Sequence, residues 1–181
     1  MRKFERGELL KRNVVYSGRI VEIVVDDIRI NGKETLREVV RHPGGVGILA
    51  EVEPDRIPLV RQHRYPVDRD VLEIPAGKIE PGEDPRQTAV RELEEETGYK
   101  PLSIETAFNY YPTPGYCDEL LHIYYANKVE EAETCFDDDE DLEIEMYSLA
   151  EALSLIREGE LKDGKTIAAL YWLALKRTDS L

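Results

Sequence analysis

The sequence predicts an α/β fold, in which a mixed sheet carries helices on both faces as an α/β/α sandwich, with a small N-terminal antiparallel β appendage. Patterns typical of strands and of helices are interleaved along the chain. The length of 181 residues is enough for one sizeable core together with a small appendage. The sequence contains no repeats and no low-complexity linker.

The N-terminal part of the chain predicts the appendage. Partly alternating, β-branched segments at 14–18, 20–25 and 35–41 indicate strands, and Asn31-Gly32 is a strong hairpin signal. The sequence from His42 to Gly45, His-Pro-Gly-Gly, then breaks the pattern. We therefore expect a boundary there, with the β appendage at residues 1–43 and the core domain at 44–181.

Strand patterns recur through the predicted core. Residues 46–51 and 57–62 read as a hairpin around Glu53-Pro54-Asp55, and a short strand at 71–74 leads into a glycine-containing loop. Further strands are predicted at 104–110, 120–127 and 142–147.

The first helix is well specified by its ends. Asp84 is a favourable N-cap, Pro85 suits the first helical position, and Gly98 supplies the left-handed residue that commonly ends a helix. An apolar stripe predicts that this helix packs on a sheet; its members are Ala89, Val90 and Leu93.

Two more helices follow the last predicted strand. Ser148 and Glu151 form a capping box that opens a helix ending near residue 158. The final helix, at about 166–177, is apolar around much of its circumference, which favours a core or dimer-interface role over a cofactor site.

Charge and composition exclude several function classes. The net charge is −14, and ten acidic residues but no basic ones lie between Glu130 and Glu145. So acidic a chain lacks the positive surface that nucleic acid or an anionic membrane requires, and we expect neither partner. No apolar run approaches the roughly 20 residues of a membrane helix, and no secretory signal pattern occurs, so we expect a cytoplasmic protein. Cys117 and Cys135 lack metal or redox spacing and are expected to be free thiols.

The first helix carries a dense group of acids near its end. Glu92, Glu95 and Glu96 stand at i, i+3 and i+4, so their Cβ atoms lie roughly 5–6 Å apart on one helix face. A cation would neutralise their repulsion, and clustered carboxylates suit Mg²⁺ or Mn²⁺, often shared with substrate phosphates. The alternative is a solvated acidic helix face, the usual fate of a charge run.

The segment around these acids resembles the Nudix box. Its fixed identities are Gly77, Glu83, Arg91-Glu92-Leu93, Glu95-Glu96 and Gly98, and it departs mildly at Tyr99, where an aliphatic residue is more usual. The resemblance implies the Nudix fold and hydrolysis of nucleoside diphosphates linked to another moiety, with Mg²⁺ or Mn²⁺ as cofactor.

The same resemblance implies roles for individual residues. Glu92 and Glu96 would bind the metal, with Glu95 as a ligand or close neighbour. The backbone carbonyl of Ala76 would be a further ligand. Arg91 and Glu83 would brace the loop against the helix, and Arg91 can also pair with Glu95 four residues on.

Features outside the box are similar to those of the ADP-ribose pyrophosphatases. Pro114 follows Gly98 by the sixteen residues typical of that subfamily. Three upstream segments, at 37–44, 62–65 and 72–77, also match its bacterial pattern. The likeness spans the chain from about Tyr16 to Trp172.

This likeness assigns candidate substrate contacts. Arg64 and Arg37 suit bidentate binding of phosphate, although surface salt bridges are the alternative. Glu119 is a candidate for a ribose hydroxyl, and Tyr16 and Arg19 for the adenine base. In the similar enzymes the appendage reaches across a homodimer, so we expect a dimer here. Ordinary packing or surface roles remain the alternative for Tyr16, Arg19 and Glu119.

A general base must also accept a proton from the attacking water. In the similar enzymes it comes from a late acidic loop, which corresponds here to residues 136–141. Alignment of its end with the strand at 142 favours Asp138 as base and Glu140 as a further metal ligand. The family usually has Glu at the base position, so Asp139 and Glu140 stay open as bases, and a merely solvated loop is the alternative.

The sequence therefore predicts a Mg²⁺-dependent hydrolase that cleaves ADP-ribose into AMP and ribose 5-phosphate. One alternative is hydrolysis of another nucleoside diphosphate sugar, such as GDP-mannose. Another is a non-catalytic sensor of the same fold that binds ADP-ribose.

Overall fold

The computed structural model describes residues 6–132 and 142–178, which fall into two compact units. The N-terminal unit comprises the chain up to Gly44 together with residues 111–120. The core unit comprises residues 45–110 and the chain from Leu121 onward.

The N-terminal unit is built on a three-stranded antiparallel sheet in the order β1-β2-β3. Its strands are β1 (Glu8–Ser17), β2 (Glu22–Ile30) and β3 (Lys33–Arg41). The turn between β2 and β3 falls at Asn31 and Gly32, as the hairpin signal predicts.

Residues 111–120 are tied to the end of β3. The N–H of Val40 donates to the carbonyl of Tyr116 at 2.8 Å, and the N–H of Asp118 donates back to the carbonyl of Val40 at 3.1 Å. The Asp118 carboxylate accepts from Arg41 Nη1 at 2.7 Å and from the N–H of His42 at 2.9 Å. The carboxylate is partly desolvated, but these bonds hold the pKa of Asp118 below its usual value.

The core unit contains the remaining elements. Its helices are α1 (Pro85–Thr97), α2 (Leu149–Glu158) and α3 (Gly164–Thr178), with one 3₁₀ turn at Tyr65–Val67. Its strands are β4 (Gly45–Ala50), β5 (Ile57–Arg64), β6 (Arg69–Glu73), β7 (Ala76–Lys78), β8 (Tyr99–Pro101), β9 (Glu105–Tyr110), β10 (Leu121–Ala126), β11 (Val129–Glu131) and β12 (Leu142–Tyr147).

These strands form one mixed sheet and two antiparallel ones. The mixed sheet has the order β7-β4-β10-β9, in which β4 and β10 run parallel. A three-stranded sheet has the order β12-β5-β6, and β8 pairs with β11.

The prediction that β4 and β5 pair with each other as a hairpin is wrong. The turn itself forms, since the N–H of Val52 donates to the carbonyl of Arg56 at 3.0 Å. Both edges of β4 are nevertheless occupied, one by β7 and the other by β10. No edge of β4 is left for β5, which pairs with β6 and β12 instead.

Strand β4 lies between two helical layers, because its successive side chains point to opposite faces. Val46, Ile48 and Ala50 pack in one apolar cluster, to which helix α1 contributes Ala89 and Leu93. Leu49 belongs to the other cluster, to which α2 and α3 contribute; its helical members are Leu149, Ala152, Ala169, Leu170 and Leu173. Helices therefore cover both faces, and the predicted α/β fold with a mixed sheet is confirmed.

None of the described helices is long and apolar enough to cross a membrane. The expected cytoplasmic location stays a prediction.

Candidate metal centre

Helix α1 carries the predicted acidic cluster, and its ends are fixed as expected. The Asp84 side chain accepts from the N–H of Arg86 at 2.9 Å, and Gly98 ends the helix in the left-handed conformation at φ 71°. The apolar face of α1 packs on β4. This packing buries Glu92 and Glu96, which are only 9% and 2% exposed. Because a buried carboxylate is costly unless bonded or paired, these two side chains need polar partners.

A backbone N–H at the start of β7 binds the Glu96 carboxylate. The N–H of Ala76 donates to Glu96 Oε2 at 3.1 Å. Just upstream, the carbonyl of Pro75 accepts from the N–H of Ile48 at 2.9 Å. The segment that ends at Ala76 is therefore anchored to both β4 and the last turn of α1.

Gly77 allows a second carboxylate to approach this segment. A Cβ atom at residue 77 would lie 1.8 Å from Glu92 Oε1 and 2.0 Å from its Cδ, distances that no real contact allows. The backbone at Gly77 and the Glu92 carboxylate therefore fit together only because residue 77 has no side chain.

Arg91 connects three carboxylates around the cluster. Its Nε and Nη2 donate to Glu83 at 3.1 and 3.3 Å, and its Nη1 donates to Glu95 at 2.7 Å. Nη2 also lies 2.9 Å from Glu92 Oε1. The bonds to Glu83 are the largest cause that raises the pKa of Arg91 above its usual value, and they lower the pKa of Glu83. The predicted pairing of Arg91 with Glu83 and Glu95 is confirmed.

The donors gathered here fit a hard divalent cation. Glu92 and Glu96 supply buried carboxylate oxygens beside a loop whose Ala76 carbonyl is a further oxygen donor, and oxygen-only sets favour Mg²⁺ or Mn²⁺ over zinc. Within residues 6–132 and 142–178, there is no group of three or more His, Cys, Asp or Glu side chains that could hold a metal ion. The predicted base Asp138, its alternative Asp139 and the predicted ligand Glu140 lie outside the described residues.

Arg64 is held by a buried carboxylate at the end of β6. Its Nε and Nη2 donate to Glu73 Oε1 and Oε2 at 2.7 and 2.8 Å, a two-bond fork in which Nη1 takes no part. The Glu73 side chain is 3% exposed, whereas that of Arg64 is 41% exposed. The hydrogen bonds to Glu73 raise the pKa of Arg64 above its usual value, against the effect of burial, and the charge of Glu96 contributes in the same direction. Arg64 therefore lies within electrostatic reach of the buried cluster.

Sequence reasoning missed Glu73 and its second partner, Lys165. Burial opposes the ionisation of Glu73, but the hydrogen bonds from Arg64 and the charge of Lys165 lower its pKa overall. A signal did exist, since a glutamate inside a short apolar strand requires a buried cation. The identity of that cation could not be read locally, because Lys165 is far away in the sequence.

The other predicted substrate contacts belong to the N-terminal unit. Tyr16 is 55% exposed on β1, and Arg19 lies exposed in the turn before β2. Arg37 Nη1 donates to the carbonyl of Leu36 at 2.8 Å. Glu119 Oε1 lies 3.5 Å from Nδ1 of His42. The structure thus brings Ala76, Glu92, Glu95 and Glu96 together in the core unit. The other four candidates belong to the N-terminal unit; they are Tyr16, Arg19, Arg37 and Glu119.

Comparisons with known proteins find similar sequences and a similar fold over nearly the whole chain. A family model described as the NUDIX domain matches residues 41–170. The chain is 41% identical over 179 residues to a protein named methanol dehydrogenase activator from Bacillus methanolicus, with 97% of each chain covered. It is 39% identical over 179 residues to the ADP-ribose pyrophosphatase of Bacillus subtilis (strain 168), covering 97% of this chain and 96% of the relative. A crystal structure of an ADP compounds hydrolase is similar in fold, with a TM-score of 0.87 at 20% identity, covering 99% of this chain and 98% of that one.

Proposed function

This chain belongs to the NUDIX family, and we propose that it is a metal-dependent hydrolase that cleaves the pyrophosphate bond of ADP-ribose into AMP and ribose 5-phosphate. One observation carries the proposal: the buried carboxylates of Glu92 and Glu96 lie against the loop at Ala76 and Gly77. The substrate is chosen because a relative that matches nearly the whole chain is named ADP-ribose pyrophosphatase.

The metal would be held by Glu92, Glu96 and the carbonyl of Ala76. Glu95 would stand beside them, oriented by Arg91, and Glu140 would add a further carboxylate. We propose Mg²⁺ as the ion, with Mn²⁺ as a substitute, because all of these donors are oxygen atoms. Such an ion would neutralise charge on the diphosphate, polarise a phosphorus–oxygen bond and lower the pKa of bound water.

The chain's own cations would bind the substrate. Arg64, partly exposed and fixed by Glu73, would donate to a phosphate oxygen, and Arg37 would supply a second guanidinium. We retain Glu119 as a contact to a ribose hydroxyl and Tyr16 and Arg19 as contacts to the adenine base.

A carboxylate of the acidic run at 137–141 would accept the proton of the attacking water. We favour Asp138, with Asp139 and Glu140 as alternatives. Asp138→Asn, Asp139→Asn and Glu140→Gln would be compared side by side for kcat. Loss of a general base typically costs about 10²–10⁴ in rate, so one variant should be far slower than the others. If all three turn over like the wild type, the base is elsewhere.

A substrate panel tests the proposed function. ADP-ribose, GDP-mannose and other nucleoside diphosphate sugars are incubated with the protein, with Mg²⁺ or with EDTA, and the products are separated by chromatography. We expect AMP and ribose 5-phosphate from ADP-ribose in the presence of Mg²⁺, and none with EDTA. If ADP-ribose ranks among the slowest substrates, the assignment is wrong, and GDP-mannose as the fastest would favour the rival hydrolase.

Two other candidate functions are a non-catalytic sensor and an activator of another enzyme. A non-catalytic ADP-ribose sensor would not need the complete set of box acids, all of which this chain retains. The second candidate function is activation of a methanol dehydrogenase. It is favoured by the relative named methanol dehydrogenase activator, which matches this chain over 179 residues. Adding the purified protein to methanol dehydrogenase and measuring its rate would test that activity directly, and the substrate panel is independent of it.

We also propose a homodimer. The sheet of the N-terminal unit exposes large apolar side chains that a second copy could cover; they include Leu9, Val14, Val15 and Leu36, each more than half exposed. Exposed apolar surface of this kind often marks an association site.

A further inference from the structure

Lys165, in the first turn of α3, is a buried cation that the proposed reaction does not yet use. The residue is 9% exposed. Its Nζ pairs with Glu73 Oε2 and lies 3.1 Å from Asp163 Oδ2. Buried lysines are rare unless they are paired, so this one is held there by its two carboxylates.

The Asp163 carboxylate is also engaged by groups other than Lys165. Its Oδ2 accepts from the N–H of Thr166 at 2.9 Å and from the Thr166 hydroxyl at 2.6 Å. These bonds lie at the start of α3, where the helix dipole favours a negative charge. Asp163 is therefore stabilised by the helix it caps as well as by Lys165, and Lys165 is the buried counter-charge of both Glu73 and Asp163.

Glu73 binds both cations at once: Arg64 Nε donates to Oε1, and Arg64 Nη2 and Lys165 Nζ both donate to Oε2. A fork between one arginine and one glutamate is neutral as a pair, and a neutral pair attracts a diphosphate weakly. The additional charge of Lys165 offsets that of Glu73. Arg64, Lys165, Glu73 and Asp163 together are neutral, and without Lys165 the set would be net negative, so Lys165 makes the partly exposed Arg64 more attractive to an anion that approaches from solvent.

The hydroxyl of Thr166 links the same turn to the segment that leads into β7. Its Oγ1 accepts from the N–H of Ile74 at 2.8 Å, two residues before Ala76. The first turn of α3 therefore contacts both Glu73 and the backbone that follows it.

We propose that Lys165 is a positioning residue for diphosphate binding: by balancing the charge of Glu73, it keeps Arg64 electropositive towards the substrate. This inference rests on the proposed function, because it requires an anionic substrate that Arg64 contacts. Lys165 itself need not touch that substrate.

Lys165→Met tests the inference, with Lys162→Met as the matched control. Lys162 lies three residues away and is exposed, so its replacement removes the same formal charge from the surface. For Lys165→Met we expect on the order of a ten-fold increase in KM for ADP-ribose, because one nearby charge is lost, with kcat within about two-fold of wild type. Calorimetric binding of the α,β-methylene analogue of ADP-ribose should weaken in parallel. Lys162→Met should change neither constant.

A double variant distinguishes charge balance from mere structural support. Glu73→Gln combined with Lys165→Met removes both buried charges, and a buried pair removed together is tolerated better than one left unpaired. If Lys165 acts by balancing Glu73, the KM of this double variant returns to within about three-fold of wild type. A KM that stays about ten-fold raised overturns the proposal, even if Lys165→Met alone fails to fold.

Failure of the inference is distinguishable from failure of the proposed function. If the wild type hydrolyses ADP-ribose but Lys165→Met keeps the wild-type KM and analogue affinity, the role of Lys165 is refuted and the activity stands. If the wild type does not hydrolyse ADP-ribose, the proposed function fails first.

Discussion

Glu96 is a carboxylate with almost no access to solvent, and it accepts a hydrogen bond from the N–H of Ala76. Desolvation disfavours a buried negative charge, so a divalent cation bound beside it would compensate for that cost. Glu92 and Glu96 lie one helical turn apart, which brings their oxygens to the same side of α1. At the scale of single residues, these two side chains carry the proposed chemistry.

Glu96→Gln should abolish most of the activity while leaving the fold intact. The amide keeps the size of the side chain but removes the charge that would bind the ion. We expect kcat for ADP-ribose to fall at least about 100-fold, since even residues that only orient metal ligands cost 10–100-fold. Circular dichroism checks the fold.

Glu94→Gln is the matched control for this experiment. Glu94 lies on the same helix and is paired with Lys100 at 3.8 Å, and its spacing of two residues from both Glu92 and Glu96 does not share their helix face. We expect wild-type kcat from it. Equal rates for the two variants at ordinary Mg²⁺ would remove Glu96 from the site.

Residues close together in the sequence were the predictable ones. The pairing of Arg91 with Glu95 follows from helical spacing, and Glu83 belongs to the same motif. The ion pair of Glu73 with Lys165 joins residues 92 positions apart, and only the packed fold brings them together. Arg64 and Glu73 are only nine residues apart, on the paired strands β5 and β6, so their ion pair depends on the pairing of those two strands.

At the scale of elements, the site depends on how closely the loop at β7 approaches helix α1. The Glu92 carboxylate occupies the volume that a side chain at residue 77 would need. That contact, and the hydrogen bond of Ala76 to Glu96, set the distance between loop and helix.

Gly77→Ala should therefore damage the site more than the fold. The added methyl collides with the end of a flexible side chain, so Glu92 must rotate away while the backbone can stay in place. We expect Mn²⁺ affinity and kcat to fall by about 10–100-fold with little change in the melting temperature. Electron paramagnetic resonance of Mn²⁺ titrations and thermal unfolding measure the two effects.

Gly164→Ala is the control substitution, because no atom lies within 4 Å of a Cβ added there. It should bind Mn²⁺ like the wild type. Wild-type Mn²⁺ affinity in Gly77→Ala would show that the Glu92 carboxylate is not needed at its observed position.

Helix ends were predictable, and strand partners were less so. Asp84 and Gly98 bound α1, and Ser148 and Glu151 form the reciprocal capping box of α2, because caps depend on residues that are adjacent in the sequence. The pairing of β4 depends instead on β7 and β10, so the local turn at Glu53–Arg56 gave the wrong neighbour.

At the scale of the whole molecule, the chain divides into two units, and the exposed β1 belongs to the smaller of them. Val14 and Val15 are 55% and 60% exposed, and Val15 is the extra residue at a register shift between the pairs Val14–Val24 and Tyr16–Ile23. The clustering of residues 111–120 with this unit had no signal in the sequence, because it depends on hydrogen bonds to β3 over long range.

Replacing both valines by aspartate should disrupt the proposed dimer. The double variant places two charges at exposed apolar positions of β1, which would oppose burial against a second copy. We expect light scattering after size exclusion to give a dimer mass for the wild type and a monomer mass for Val14→Asp/Val15→Asp. Leu102→Asp, at a residue 62% exposed in the core unit, is the control and should stay dimeric. A wild-type monomer, or a dimeric double variant, would contradict the proposal.

The most direct test of the account is the position of the metal itself. Crystals grown with Mn²⁺ and the α,β-methylene analogue of ADP-ribose would be examined by anomalous diffraction. The account predicts an anomalous peak bound by the carboxylates of Glu92 and Glu96 and the carbonyl of Ala76, with the analogue's diphosphate against it. Manganese bound elsewhere, with those oxygens facing only water, would contradict it.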